Sequence, residues 1–198
     1  STRYKQIIET DGSEAILPYS YLGQQGLLNG LSVGDAFFNK LGATISERTF
    51  CDAGAISAYI MTVGPTVGLD PESISHSNYI IIWACNMLSN NLRQWHFVKE
   101  ARKRGAKVVV IDPVRTQTAQ QADWYIPIKP GTDVALALGM MHVIIKENLL
   151  DHEYINQYTA GFSQLKTRAE EYSPKKVSEI TGIPQTDIIQ LAREYASN

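Results

Sequence analysis

The sequence predicts an α/β fold: an open, mainly parallel sheet with flanking helices and a helical C-terminal tail. Three apolar segments, NYIIIWACN, AKVVVIDP and WYIPIKPGTD, are separated or followed by helical segments, which is typical of a parallel sheet. These segments end in Asn86, Asp112 and Asp133, respectively. The carboxyl ends of parallel strands lie at one edge of a sheet, where ligands bind. We therefore expect these three side chains to face one ligand.

Apolar spacing and turn residues predict the elements before the first strand of the sheet. Residues 13–18 and 44–50 are expected to be short extended pieces, and residues 31–42 show helical spacing before a glycine cap. A small-residue helix is expected over 53–64, and the Gly, Pro and Ser residues of 65–77 predict a connecting loop.

Strands and helices alternate in the middle of the chain. Strands are expected over 78–85, 107–111 and 124–128, and helices over 91–104, 116–122 and 133–147.

The character of the sequence changes at Asp151, where short amphipathic helices begin, separated by Gly161, Pro174 and a Gly-Ile-Pro turn that ends at Pro184. Pro184 is expected in the first turn of the last helix. We predict a parallel α/β dinucleotide-binding portion over 1–150 and a helical extension over 151–198. The chain lacks an initiator Met and its last helix lacks a cap, so we expect a fragment of a longer protein.

Composition argues against several classes of protein. A net charge of −2 is unlike the basic excess of nucleic-acid-binding domains. The sequence contains no run of 18 or more apolar residues, so no transmembrane helix is predicted. Its polar first residues do not have the pattern of a signal peptide. The glycine-rich dinucleotide fingerprint is absent, and the pair Gly23 and Gly26 does not form it. Any nucleotide is therefore bound by another route, in a Rossmann-like fold without that motif.

The chemistry of the strand ends points to a nucleotide. One amide and two carboxylates suit ribose hydroxyls and the N–H edge of a purine such as guanine, because a carboxylate can accept from both N–H groups of that edge. After the second strand, Arg115 could pair with a phosphate and Thr118 supplies a hydroxyl near a helix start. The alternative is that the acids are only turn residues or caps, beside a solvated arginine.

Two alternatives also stay open for Cys51 and for Asp52, which follows it. Cys51 lies before a small-residue helix, whose N-terminus would favour a thiolate and a soft metal. It has no Cys or His neighbour in sequence, so it would give one ligand to a metal that a cofactor otherwise holds; otherwise it is a buried cysteine. Asp52 is a helix cap or a proton carrier.

Four segments in this order resemble one family of enzymes. They are RTFC before the small-residue helix, YIIIWACN followed by Ser89 and Asn90, KVVVIDPVRTQTAQQAD, and IPIKPGTDVALALGMMHVII. The chain resembles the catalytic subunits of molybdopterin oxidoreductases, the bis-guanine-dinucleotide enzymes of the dimethyl sulfoxide reductase and formate dehydrogenase family. The likeness covers nearly the whole chain.

The resemblance assigns roles to particular positions. Cys51 stands where the family places the protein ligand to molybdenum or tungsten. Formate dehydrogenases carry His directly after that ligand, where this chain has Asp52. The positions that match contacts to the pterin dinucleotide are Asn86, Ser89, Asn90, Asp112, Pro113, Arg115, Thr118, Pro130, Gly131 and Asp133.

The resemblance also implies a cofactor and partners. The cofactor would be bis-molybdopterin guanine dinucleotide with Mo or W, with an iron–sulfur cluster in a missing N-terminal part. The partners would be the rest of the same chain, an electron-transfer subunit and a small-molecule substrate, without nucleic acid or direct membrane insertion. The fragment alone should be inactive, and the compartment, prokaryotic cytoplasm or periplasm, stays open. The competing interpretations are a non-catalytic nucleotide-binding or subunit-docking module and a relative of the central domain of thiamine-dependent enzymes.

Overall fold

The computed structural model describes residues 1–19, 33–47, 52–65 and 68–198, without the side chain of Asp52. The chain divides into two compact units, Ser1–Gly68 and Leu69–Asn198. The functional boundary predicted at residue 150 is a different division, and it stays a prediction.

The first unit contains helices and a short 3₁₀ turn. The helices are α1 (Thr2–Asp11), α2 (Val33–Leu41) and α3 (Asp52–Val63). The prediction of α2 is confirmed, and Gly42 ends it with a φ of 75°, a conformation that glycine adopts without strain. Helix α1 was not predicted; its apolar residues are limited to Tyr4, Ile7 and Ile8, and no residue of it is buried.

The strand predicted over residues 13–18 is wrong. A 3₁₀ turn occupies Ser13–Ala15, and Ile16 shares one backbone hydrogen bond with the second predicted extended piece, from the Thr44 amide at 3.0 Å. A single bond does not make a ladder. Residues 48–50 of that second piece lie outside the described residues.

The second unit alternates strands and helices. It begins with a 3₁₀ helix, Pro71–His76, inside the segment predicted as a loop; Asp70 caps this helix and Ile74 is buried. The strands are β1 (Tyr79–Trp83), β2 (Lys107–Ile111) and β3 (Trp124–Ile126). The helices are α4 (Met87–Asn90), α5 (Leu92–Lys103), α6 (Gln117–Gln120), α7 (Asp133–Lys146), α8 (His152–Tyr158), α9 (Phe162–Glu170), α10 (Pro174–Thr181) and α11 (Gln185–Ala196).

The strands form one parallel sheet in the order β1-β2-β3, which confirms the predicted fold class. Trp83, Ile111 and Ile126 are aligned across it at the carboxyl edge. In β2 the four residues 108–111 are fully buried. A continuous apolar strand of this kind requires cover on both faces of the sheet.

Each face of the sheet packs against helices. On one face Ile111 and Ile126 pack with Leu136 of α7, Val177 of α10 and Ile188 of α11. The other face carries a second cluster, formed by Ile80, Ile82, Val108, Val110, Trp95, Val98 and Ile74 from β1, β2, α5 and the 3₁₀ helix. The C-terminal helices α10 and α11 therefore cover the sheet together with α7.

The ends of several predicted elements shift slightly; the strand predicted over 78–85, for example, is observed over Tyr79–Trp83. Strand β3 stops at Ile126, and two residues after Pro127 the Lys129 amide donates to the Thr181 carbonyl at 3.1 Å. Pro184 precedes α11 as its N-cap instead of lying in its first turn. Among the described residues, no helix is long and apolar enough to cross a membrane.

Candidate functional site

The carboxyl edge of the sheet gathers the residues that follow the strands. The Ala84 amide donates to the Ile111 carbonyl at 2.8 Å, and the Asp112 amide donates to the Ile126 carbonyl at 3.3 Å. These bonds extend the ladder by one residue beyond each strand. The segment from Ala84 to Asn86, and Asp112, therefore begin at the same edge.

Asp133 is fixed at this edge by a residue of another strand. The indole nitrogen Nε1 of Trp83, the last residue of β1, donates to Oδ1 of Asp133 at 2.7 Å. Asp133 is the first residue of α7, where a carboxylate favours the helix dipole. Gly131 has a φ of 77° in the preceding turn, and Thr132 donates to the Lys129 carbonyl at 2.7 Å instead of capping α7. Among the described residues, Oδ2 of Asp133 has no hydrogen-bond partner.

Thr118, in helix α6 between β2 and β3, holds the side chain of Asn86 by a hydrogen bond. Its hydroxyl donates to Oδ1 of Asn86 at 2.9 Å and accepts from the Leu88 amide at 3.0 Å, and the residue is fully buried. Because Oδ1 is the acceptor, the amide nitrogen of Asn86 points elsewhere. Within the described part of the chain that nitrogen makes no hydrogen bond, so it can donate to a ligand.

The turn between β1 and α4 carries an uncommon backbone conformation. Ala84 has a φ of 52°, in the left-handed region that non-glycine residues rarely occupy. Such strain is often found at functional sites. After this turn, Cys85 lies 3.9 Å from Oδ1 of Asn90, while Ser89 and Asn90 are exposed.

The turn after β2 carries an acid and an arginine, and a phenol from β3 contacts it. Asp112 is buried and its Oδ1 accepts from the Val114 amide at 2.8 Å; the Tyr125 hydroxyl donates to the Asp112 carbonyl at 2.9 Å. Burial and then the Asp112 carboxylate raise the pKa of the Tyr125 phenol, against the opposing effect of Arg115. The Arg115 guanidinium lies 6.0 Å from the centre of the Tyr125 ring. It is exposed and has no ion pair among the described residues, so it can meet an anion.

The donor set at this edge suits a nucleotide better than a bare metal ion. Within the described residues no group of three or more His, Cys, Asp or Glu is arranged to hold a metal ion. Carboxylate acceptors, one amide donor and one guanidinium match the N–H groups, hydroxyls and phosphates of a nucleotide. The residues present therefore fit the nucleotide part of the implied cofactor.

Four predicted residues stand apart from this arrangement. Pro113 and Pro130 are exposed turn residues that shape the backbone and offer no side-chain polar group. Cys51 and the side chain of Asp52 lie outside the described residues, so the predicted metal ligand and proton carrier stay predictions. Asp52 was predicted to be the cap that precedes the small-residue helix, but helix α3 begins at Asp52, so the residue lies in the first turn.

Two residues of this edge, Trp83 and Tyr125, were not identified as site residues from the sequence. Trp83 packs against the buried cluster, as an apolar strand residue is expected to do, but its N–H also donates to Asp133. Tyr125 was not singled out. A half-buried Trp or Tyr needs a partner for its polar group, and each stands at or near the end of a strand, so this signal could have found both.

Comparison with known proteins gives a consistent result. Probable oxidoreductase YoaE of Bacillus subtilis (strain 168) is 45% identical over 195 residues, which are 98% of this chain and 29% of that protein. The alpha subunit of F420-dependent formate dehydrogenase 1 of Methanococcus maripaludis is 43% identical over 168 residues, covering 81% of this chain and 25% of that subunit. The structure of acetylene hydratase from Pelobacter acetylenicus superposes with a TM-score of 0.68 and 34% identity, covering 96% of this chain and 26% of that one.

This chain spans less than a third of the length of these relatives. The family model described as molybdopterin oxidoreductase matches residues 1–180, which is most of the chain and includes the whole carboxyl edge. The chain therefore belongs to the molybdopterin oxidoreductase family.

Proposed function

We propose that this region holds one arm of a bis-molybdopterin guanine dinucleotide cofactor in a full-length oxidoreductase, and that Cys51 is the protein ligand to its Mo or W. The observation that carries the proposal is the pair of fixed polar groups at the sheet edge. Asn86 and Asp133 are each held through one atom, by Thr118 and Trp83 respectively, and each keeps another polar atom without a partner among the described residues.

The roles of these residues follow from their chemistry. Asp133 accepts from the two N–H groups on one edge of guanine, an arrangement that adenine cannot match, and Asn86 donates to an oxygen of the ligand. Arg115 pairs with a phosphate, and the Asp112 carboxylate accepts from a hydroxyl. When bound, the metal of such a cofactor supplies two-electron redox chemistry; the protein positions it and tunes its electronics.

The relatives support the class of cofactor and leave the substrate open. Their names include a formate dehydrogenase, an acetylene hydratase, a thiosulfate reductase subunit and a nitrate reductase subunit, so similarity alone does not select one reaction. For the full-length protein we propose a small-molecule substrate, an electron-transfer subunit, an iron–sulfur cluster and a second dinucleotide site in the rest of the same chain.

The first experiment tests the cofactor in the full-length protein, purified without oxygen. Metal analysis and nucleotide release on acid treatment should give Mo or W with about two GMP per metal, as a bis-dinucleotide cofactor requires. Finding neither metal nor GMP, in a host that makes the cofactor, would favour the non-catalytic nucleotide-binding or docking module.

Asp133→Asn tests the guanine contact in full-length protein produced without cofactor. A hydrogen bond to a charged group contributes about 1.5–3 kcal/mol, so GDP affinity should fall roughly ten- to a hundredfold. The matched control is Asp187→Asn, because Asp187 also lies in the first turn of a helix but belongs to α11. Equal GDP affinity in the two variants would remove Asp133 from the nucleotide site.

Cys51→Ser tests the metal ligand, with Cys85→Ser as its control, since these are the two cysteines of the chain. In the cofactor-loaded full-length protein, X-ray absorption at the metal should show one sulfur neighbour fewer only for the first variant. An unchanged spectrum in Cys51→Ser would exclude Cys51 from the coordination sphere.

A further inference from the structure

Trp83 stands between the hydrophobic core and the candidate ligand edge. In β1 the residues Tyr79, Ile81 and Trp83 share the face that packs against the cluster of α7, α10 and α11. The Trp83 ring also lines a groove of about 380 Å³ together with Met140 and Ile144 of α7. Packing on the sheet and on α7 restricts the ring, so the direction of its N–H is set by the core.

The target of that N–H is one side chain fifty residues later in the sequence. Nε1 of Trp83 lies 2.7 Å from Oδ1 of Asp133, a short bond for an N–H donor and a carboxylate. Among the described residues, this is the one hydrogen bond that the Asp133 side chain makes, so no other such bond restrains the rotation of the carboxylate. The indole thus fixes the plane of the carboxylate.

We propose that Trp83 is a positioning residue that determines guanine specificity by orienting the Asp133 carboxylate. This inference rests on the proposed function. An ionised carboxylate offers about four acceptor positions, and the indole occupies one of them on Oδ1. The remaining position on Oδ1 and those on Oδ2 still accept the N–H and the amino group of guanine, but only when both oxygens lie in the plane of the base. Without the indole, the carboxylate rotates and one of the two bonds is lost.

The test compares nucleotides that differ by one group. GDP carries the 2-amino group, IDP lacks it, and ADP presents an acceptor in place of the ring N–H. Binding of all three is measured on full-length protein produced without cofactor, for the wild type, Trp83→Phe and Trp124→Phe. Trp124 is the matched control, because it is also a half-buried tryptophan of the sheet but lies at the start of β3 and has no bond to Asp133.

The expected result is a change in selectivity. Trp83→Phe should lower the preference for GDP over IDP by roughly tenfold, the size of one charged hydrogen bond, while Trp124→Phe keeps it. In the Asp133→Asn background, Trp83→Phe should cause no further loss of preference. A structural role alone would weaken GDP and IDP equally, and that outcome would overturn the inference.

A second variant keeps the test decisive if Trp83→Phe does not fold. Replacing Trp83 by 3-benzothienylalanine, which has sulfur in place of the indole N–H, removes the donor and retains the ring. An unchanged GDP-to-IDP ratio in this variant would also refute the role of Trp83. Two other outcomes would refute the proposed function itself: a wild type that does not prefer GDP over ADP, or an Asp133→Asn variant with unchanged GDP affinity. In either case the inference about Trp83 would be refuted as well.

Discussion

Replacing Thr118 by valine should loosen the turn that presents Asn86. Valine keeps the size of threonine but has no hydroxyl, so the Leu88 amide loses its acceptor and Asn86 loses its donor. Thr118 is fully buried, and each hydrogen bond contributes about 1 kcal/mol net to stability. Loss of both bonds should therefore cost about 2 kcal/mol. Thr118→Ser keeps both bonds and removes one methyl group, for a cost of about 1 kcal/mol.

Hydrogen exchange on the full-length protein measures this difference locally. A loss of about 2 kcal/mol in local stability corresponds to roughly thirtyfold faster exchange of the Leu88 amide in Thr118→Val. Thr118→Ser should stay close to the wild type at that amide, and its GDP affinity should be retained while that of Thr118→Val falls. If valine and serine gave the same exchange rate at Leu88 and the same GDP affinity, the hydroxyl bridge would not be what orders Asn86.

Three further predictions concern other parts of the second unit. Gly139→Ala would place a Cβ 2.9 Å from a Cγ of Val177, so overpacking of about 1–3 kcal/mol should exceed the helix gain of about 1 kcal/mol; equal or higher stability in urea unfolding would contradict this. Burial and a hydrogen bond to Glu194 raise the pKa of the Tyr79 phenol above its ordinary value near 10. The neutral phenol therefore stabilises the fold fully below pH 10, and this stabilisation is lost as the pH rises above 10. In thermal melts, Tyr79→Phe should reduce the loss of stability at alkaline pH. Arg115→Ala should weaken GDP binding more than guanosine binding and reduce its salt dependence, and equal losses would remove the phosphate contact.

The sheet was predictable from sequence because its signal is strong and local. Strand β2 begins and ends at the predicted residues 107 and 111, since its run of β-branched residues is buried on both faces. The prediction for residues 13–18 failed because, among the described residues, this short apolar piece has no partner strand with which to form a sheet. The contact between Trp83 and Asp133 joins residues fifty positions apart, so only the folded register could reveal it. The role of Cys51 still rests on the family resemblance.

The two edges of the sheet differ in how far their polar groups are satisfied. At the amino edge, Glu194 accepts from Lys107 at 2.6 Å and from Tyr79 at 2.9 Å on one oxygen, and from Gln190 at 2.8 Å on the other. Burial alone would raise the pKa of Glu194, but these donors lower it, so the carboxylate stays ionised and stabilises the fold above its ordinary pKa of 4.5.

The carboxyl edge uses the same kinds of group in the opposite way. In both Asn86 and Asp133, one side-chain polar atom is hydrogen-bonded to a protein partner. The other polar atom has no partner among the described residues. A network built only for stability would use those atoms too, as the amino edge does. Groups that are fixed in direction but not saturated are pre-organised for a ligand, because binding then requires little further ordering of the side chains. This asymmetry favours the carboxyl edge over the amino edge as the ligand site, on grounds that do not depend on any relative.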